Sequence, residues 1–321
     1  MMEEFILVIQ FLIFPGALFL IILAFFYEWI DRKVVARIQK RVGPLYTGPS
    51  GILQPFADFL KLLQKEDLTP DAADSHVFNL APIVLLTVPL SGLFLIPIAA
   101  QTSMIAFEGD VIFMLFLFSL IMIVIFLAGF SSRSRFATIG SARAALQMVG
   151  YEIPLGLAMI GPAIASGSLS FSGIAQWQLG HEASFILLQP IGFAVLIISL
   201  LAELEFVPFD MPHANTEIVA GWKTEYSGRK LALIQLGKNL QLVLGSGIAA
   251  ALYLGGAHRV WFIPPVFIFL IKTIFVIILL SVIRAAFARS RIEQMVSGMW
   301  KYVIPMAVLQ IILIQLSIGG G

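Results

Sequence analysis

The stretch VIFMLFLFSLIMIVIFLAGF, residues 111–130, carries no charged side chain from end to end. At about 1.5 Å per residue, a helix of that length matches the ~30 Å hydrocarbon thickness of a bilayer. It has companions. Apolar runs at roughly 5–27, 80–100, 145–166, 186–205, 231–254, 262–283 and 302–318 bring the set to eight candidate spans. Composition agrees, with 59% hydrophobic and 12% charged residues and a mean hydropathy of +0.96, where a soluble domain carries about 25% charged residues. The expected fold class is an all-α integral membrane protein. It comprises about eight transmembrane helices in one polytopic domain over residues 1–321, plus an amphipathic helix on the cytoplasmic side.

The basic residues set the expected orientation. The first loop holds Arg32, Lys33, Arg37, Lys40, Arg41, Lys61 and Lys65. The third holds Arg133, Arg135 and Arg143, and the fifth Lys223, Arg229 and Lys230. The seventh holds Arg284, Arg289, Arg291 and Lys301, whereas the even-numbered loops hold only Arg259. The odd loops are therefore expected in the cytoplasm and both termini outside, in a multi-pass protein of the cell membrane. Residues 1–4 lack the basic start of a signal peptide, and no small-residue cleavage site follows the first run. The absence of cysteine excludes disulfides and cysteine-ligated iron–sulfur clusters within the chain.

Residues 203–228, ELEFVPFDMPHANTEIVAGWKTEYSG, interrupt this apolar pattern. They place Glu203, Glu205, Asp210, Glu217 and Glu225 directly after one span and before the next. Carboxylates beside hydrocarbon are costly unless they face water or a partner. Pro208 and Pro212 interrupt any helix there, and irregular backbone at membrane depth is tolerated only inside protein or against a hydrated cavity. Several acids in one confined site cannot all stay ionised, because like charges raise one another's pKa. A solvated cytoplasmic loop is the plainer alternative. The density of acids at the membrane edge favours a proton-exchanging site.

Other charges extend the candidate set. Residues 28–41 read as a helix leaving the first span, with Lys33, Arg37 and Arg41 as a basic stripe facing lipid headgroups or an acidic partner. The helix is expected to end at Gly43-Pro44. Residues 51–65 read as the amphipathic helix: Ile52, Phe56, Phe59, Leu60 and Leu63 share one face, Gln54, Asp58, Lys61 and Lys65 the other. It either lies on lipid or lines the mouth of a cavity. Arg143, Gln147 and Tyr151 recur at four-residue spacing, and Glu152 lies beside that stripe inside the fourth span. Glu152 is expected either to bond a neighbouring helix or to relay protons. Lys272 falls about 15 Å into its span at 1.5 Å per residue, and is expected to pair with a carboxylate or to lose its proton. Lys238, nearer a span end, is expected to snorkel.

Much enzyme chemistry is missing. The four histidines are scattered without metal-ligand spacing, so no metal is assigned. The glycines of residues 43–51 lack the ending of a phosphate loop. No catalytic residue, cofactor of the chain's own or nucleic-acid partner is expected. The lipid bilayer is the one partner that composition requires.

Several blocks resemble one family. They are Asp31-Arg32-Lys33, Arg41-Val42-Gly43-Pro44, Gln54-Pro55, Ala57-Asp58, Lys65-Glu66, Arg143 with Gln147 and Tyr151-Glu152, Ala202-Glu203, Pro208-Phe209-Asp210, Glu217 and Thr224-Glu225-Tyr226-Ser227-Gly228. In this order they resemble a membrane component of respiratory complex I (the NADH dehydrogenase subunit 1 family) and its relatives in membrane-bound nickel–iron hydrogenases. The resemblance implies a protein that joins a peripheral redox arm, with its iron–sulfur clusters and a NiFe centre in the hydrogenase branch, to antiporter-like membrane subunits. It implies that cytoplasmic loops form part of a quinone chamber, and that buried carboxylates open a polar path toward the ion pumps. Glu152, Glu203, Glu205, Asp210, Glu217, Glu225 and Lys272 would then serve the proton path. Arg32, Lys33, Arg37, Arg41, Asp58, Lys61, Lys65, Arg143 and Tyr151 would serve the chamber or partner docking.

Complex I relatives usually carry arginine where this chain has Phe206, and glutamates where it has His213 and Asn215. Those departures direct the expectation to a ferredoxin-fed hydrogenase complex that pumps ions. A quinone reductase is second, and a stand-alone proton or cation transporter third.

Overall fold

The computed structural model describes residues 8–181, 184–258 and 262–319, with the side chains of Asn215 and of 317–319 outside that description. Arg259 and the extreme termini, which enter the expected orientation, also lie outside the described residues. The described chain is all-helical and multi-pass. The principal helices are α1 (Ala17–Ile38), α2 (Gln54–Gln64), α3 (Ser75–Leu93), α4 (Asp110–Ser131), α5 (Arg135–Ser166), α6 (Phe171–Gly180), α7 (Pro190–Glu203), α8 (Gly228–Tyr253), α9 (Pro265–Ala286), α10 (Ile292–Gly298) and α11 (Ile304–Gly319).

Six helical stretches among the described residues are long and apolar enough to cross a membrane: Val8–Ile38, Ser75–Leu93, Asp110–Ser131, Arg135–Ser166, Pro265–Ala286 and Ile292–Leu316. Each of the eight apolar runs contains a helix among the described residues, but two of these helices do not meet that length and composition, for opposite reasons. Helix α7 has 14 residues, about 21 Å at 1.5 Å per residue. Helix α8 has 26 residues but carries Lys230, Lys238, Asn239 and Gln241.

Helix α8 tolerates those polar groups because it is the centre of the bundle. It packs against α1, α3 and α9, and every residue from Leu240 to Tyr253 is buried. A helix buried all round needs no lipid-facing stripe. Small residues bring its neighbours close: a Cβ on Gly237 would lie 2.4 Å from the Leu85 carbonyl oxygen of α3. Its last carbonyls, Ala251 and Leu252, accept from the Gln178 amide of α6, which satisfies groups that a helix end leaves open.

Two helices end in the same left-handed cap. In α1, Arg41 N donates to Ala36 O and Lys40 N to Arg37 O, with Lys40 at φ 56°. In α7, Phe206 N donates to Leu201 O and Glu205 N to Ala202 O, with Glu205 at φ 56°. Both are Schellman closures with a charged residue where glycine is usual. The first one corrects the expected 28–41 helix: α1 stops at Ile38, so Arg41 leaves the stripe that Lys33 and Arg37 begin. The second turns Glu205 inward. The loops beyond these caps gather at one end of the bundle with the starts of α3, α5 and α8 and the end of α9. Contacts such as Asp74 N to Ser131 O at 2.8 Å and Lys230 to Asp67 at 3.4 Å tie that charged end together.

Candidate functional site

At the charged end, a cavity of about 490 Å³ opens between α1, the segment after α7, α8 and the end of α9. Its size suits a small-molecule or hydrated chamber. Three clusters of charge build its wall.

On α1, Glu28 and Arg32 lie one turn apart and pair, a contact their i, i+4 spacing favours. Arg32 also donates to Asp58 at 2.7 Å, which ties α1 to α2. Gln54 donates to the other Asp58 oxygen at 2.9 Å, and Lys61 stands 3.8 Å away. Burial would raise the Asp58 carboxyl, but the Arg32 and Gln54 hydrogen bonds and the Arg32 and Lys61 charges hold it below its ordinary value. Glu28 also accepts from Asn239 of α8.

Between α1 and α9, Asp31 is buried, accepting from Ser281 at 2.8 Å and from Arg284. The Arg284 guanidinium lies 4.3 Å from the centre of the Phe206 ring, so the aromatic and the cation share one wall.

The third cluster surrounds Glu205. Its Oε2 stands 2.8 Å from Lys238 Nζ and 2.8 Å from His213 Nε2. The Lys238 approach is an ion contact rather than a well-directed hydrogen bond. Lys238 therefore does not snorkel as expected: the inward turn of Glu205 supplies a buried counter-charge, and the ammonium stays to meet it. Asp210 and Lys223 complete the wall. Burial pushes the Asp210 carboxyl up, with His213 opposing and Glu205 adding to the rise. Burial brings the Lys223 ammonium down to about 8, while its Nζ lies 5.0 Å from the Trp222 ring.

The Arg143, Gln147 and Tyr151 stripe lies against the end of α7 and the segment that follows it. Arg143 donates to Glu217 at 2.6 Å, Gln147 to the Ala202 carbonyl at 2.7 Å and Tyr151 to Glu203 at 2.5 Å. Glu203 also accepts from Gln241 at 3.1 Å. These contacts form a layer behind the cavity wall. Glu217 lies outside it, exposed and clamped between Arg143 and Arg289. The Arg143 hydrogen bond, with Arg289, holds its carboxyl below the ordinary value.

Other expected site residues stand apart. Glu152 accepts from Ser119 of α4, a bond to a neighbouring helix. Lys272 has no carboxylate partner among the described residues. Its Nζ donates to Gly256 O at 2.9 Å and lies 3.1 Å from His258 Nδ1, at the end opposite the cavity. Lys272 is the eighth residue of α9, near enough to that end for its stem to reach the loop. Glu225, Lys33, Arg37, Arg41 and Lys65 make no ion pair among the described residues.

Glu28 is absent from the expected site residues, although its i, i+4 spacing to Arg32 is a signal that would have marked it. Asp31 with Arg284, and Lys238 with Glu205, join residues distant along the chain, and no local pattern announces them. The described residues contain no group of three or more His, Cys, Asp or Glu placed to hold a metal.

The family described as NADH dehydrogenase matches residues 9–315. The NADH-quinone oxidoreductase H subunit of Dehalococcoides mccartyi (strain CBDB1) is 38% identical over 304 residues, spanning 94% of this chain and 84% of its own. A second such H subunit, from Syntrophobacter fumaroxidans, is 35% identical over 301 residues, spanning 91% and 90%. The corresponding protein of Methylococcus capsulatus is 35% identical over 292 residues, spanning 91% and 92%. Nothing in these relatives ties the chain to the hydrogenase branch in particular. The homology implies membership of a multi-subunit, complex I-like assembly. The family match runs through every helix that walls the cavity, and the chain belongs to the NADH dehydrogenase family, with the H subunits of the NADH-quinone oxidoreductases.

Proposed function

We propose that this chain is the membrane-anchor and coupling subunit of a redox-driven ion pump that reduces quinone, and that the charged cavity is its share of the quinone-facing chamber. The carrying observation is that cavity: buried Glu205 and Asp31, each held by cations, face one space of about 490 Å³ in a chain whose relatives are named quinone oxidoreductase subunits. The charged end faces the cytoplasm, following the basic residues of the odd loops. All eight helical runs cross the cell membrane, the short α7 and the polar α8 being sheltered by the others. Helix α2 lies as an amphipathic helix on the cytoplasmic side, with Phe56 and Phe59 against Phe25 and Asp58 against Arg32. The partners are peripheral subunits carrying iron–sulfur clusters, and antiporter-like membrane subunits.

The cavity fits a quinone headgroup in one respect: its carbonyl oxygens need donors, and Arg32, Lys223, Lys238 and Arg284 supply them. Bound quinone supplies the electron-accepting chemistry. The chain supplies an enclosed set of opposed charges whose protonation responds to a nearby change of charge. The layer behind the wall, with Tyr151 on Glu203, is followed along α5 by Glu152, which stands apart from it on Ser119; the two acids serve as the start of the proton path.

Purification tests this. The chain is expected to co-purify with iron–sulfur subunits, and a quinone analogue is expected to inhibit the complex and protect residues 203–228 from proteolysis. Recovery as a stable lone chain, or indifference to the analogue, sinks the reading. A hydrogenase complex is the second reading, favoured by Phe206, His213 and Asn215 at positions where quinone-type relatives usually differ. A co-purifying nickel-binding large subunit decides for it.

A further inference from the structure

The cavity holds one group that the coupling role does not use. From α1, Glu28 and Asp31 stand beside Arg32, with Arg284 coming from α9. From the segment after α7 come Glu205 and Asp210, with Lys223 from the Gly221–Lys223 turn and Lys238 from α8. Carboxylates and cations in the wall therefore match one for one, and His213 is left over. With a neutral imidazole the ionised wall has no net charge; with an imidazolium it carries one positive charge. Arg289, just outside, adds a further positive field at Asp210.

The His213 side chain is 18% exposed, facing Glu205 at 1%. An ionised carboxylate only accepts, so the 2.8 Å contact commits a hydrogen on Nε2 to Glu205 Oε2. Nδ1 is then the ring nitrogen left open to another partner. Trp222, fully buried, backs the ring at 6.0 Å between centroids. The Schellman closure of α7 fixes Glu205, and Lys238 holds its same oxygen from the other helix. Histidine is the side chain whose charge ordinarily changes between about pH 5 and 8.

We propose that His213 is the proton-exchanging residue of this cavity, with Glu205 as its fixed counter-charge and Asp210 as its exchange partner. The N–H bond at Nδ1 forms when a proton arrives and breaks when it passes to a carboxylate oxygen of Asp210 or to cavity water, with no change of oxidation state. Asp210 suits the exchange because burial already favours its protonated form. Lys223 is the other group brought near neutrality by burial, so the test must separate the two. This inference rests on the coupling role proposed above.

The test measures ions translocated per donor oxidised against pH, using the assembled complex in liposomes. Wild type is expected to show an inflection with pH. His213→Gln is expected to lose it, and Lys223→Arg to keep it. His213→Lys, which preserves a cation, is expected to hold the low-pH ratio throughout. Should the substituted chains not assemble, diethylpyrocarbonate labelling of wild-type His213, located by mass spectrometry, is expected to change with pH. An inflection that survives His213→Gln, or labelling independent of pH, overturns the inference. If iron–sulfur partners fail to co-purify, the coupling role itself fails, whatever the His213 profile shows.

Discussion

Lys238 Nζ lies 2.8 Å from Glu205 Oε2, with the two side chains 15% and 1% exposed. This pair joins the end of α7 to the middle of the bundle and places opposite charges at the cavity wall. Removing one partner of a buried pair strands the other and costs about 3–5 kcal/mol, whereas replacing both by apolar groups is often neutral. Lys238→Met is therefore expected to destabilise the protein by about 3–5 kcal/mol. Glu205→Met should cost at least as much, since it also strands His213. The double substitution is expected to recover most of the loss in thermal unfolding while ion translocation stays impaired. Additive losses would show that the pair is not coupled.

Tyr151 and Gln241 both donate to Glu203, which is 1% exposed. A buried acceptor that loses one donor costs about 1–3 kcal/mol. Tyr151→Phe and Gln241→Leu are each expected to fall in that range, and the double mutant to depart from additivity because both act on one carboxylate. Unfolding midpoints of the three variants check this, with equal and additive effects counting against a shared network.

These contacts show where sequence reading reaches and where it stops. The apolar runs were legible because spanning a bilayer demands a length and a composition that local sequence records. The Arg143, Gln147 and Tyr151 stripe was legible because helical spacing alone puts those residues on one face. The partner of Lys238 was not, because it depends on a left-handed turn at Glu205, where a glycine would have been the usual signal. Asp31 and Arg284 are brought together only by the packing of α1 on α9. The number of crossings is harder to read for a related reason: an apolar run does not reveal whether lipid or other helices surround it.

Glu217 makes the outer clamp pH-sensitive in a definite direction. Its carboxyl is held below the ordinary value of 4.5 by Arg143 and Arg289. A depressed acid contributes stability above its unfolded pKa and loses it as pH falls through the folded value. Proteolysis of the 204–227 segment is therefore expected to rise below pH 4.5, and Glu217→Gln to show that susceptibility already at neutral pH. In the assembled complex, Glu217→Gln and Glu152→Gln are both expected to lower ions translocated per donor oxidised by more than they lower thermal stability. Unchanged translocation in both, with normal assembly, would make the two acids structural.

Lys272 separates a helix-end tether from a proton carrier. Its ammonium sits on the Gly256 carbonyl, just beyond the end of α8, and beside His258. A cation at a helix C-terminus is stabilising by about 0.3–1 kcal/mol, more when partly buried. Lys272→Met is expected to cost about 1–2 kcal/mol through that contact and the lost hydrogen bond, and Lys272→Arg to recover part of it. Because the cavity lies at the other end of the bundle and no carboxylate faces this ammonium among the described residues, ions translocated per donor oxidised should be unchanged in Lys272→Met. A fall in that ratio at normal stability would place Lys272 on the proton path and show that protons cross the bundle by a route leaving at the end of α8.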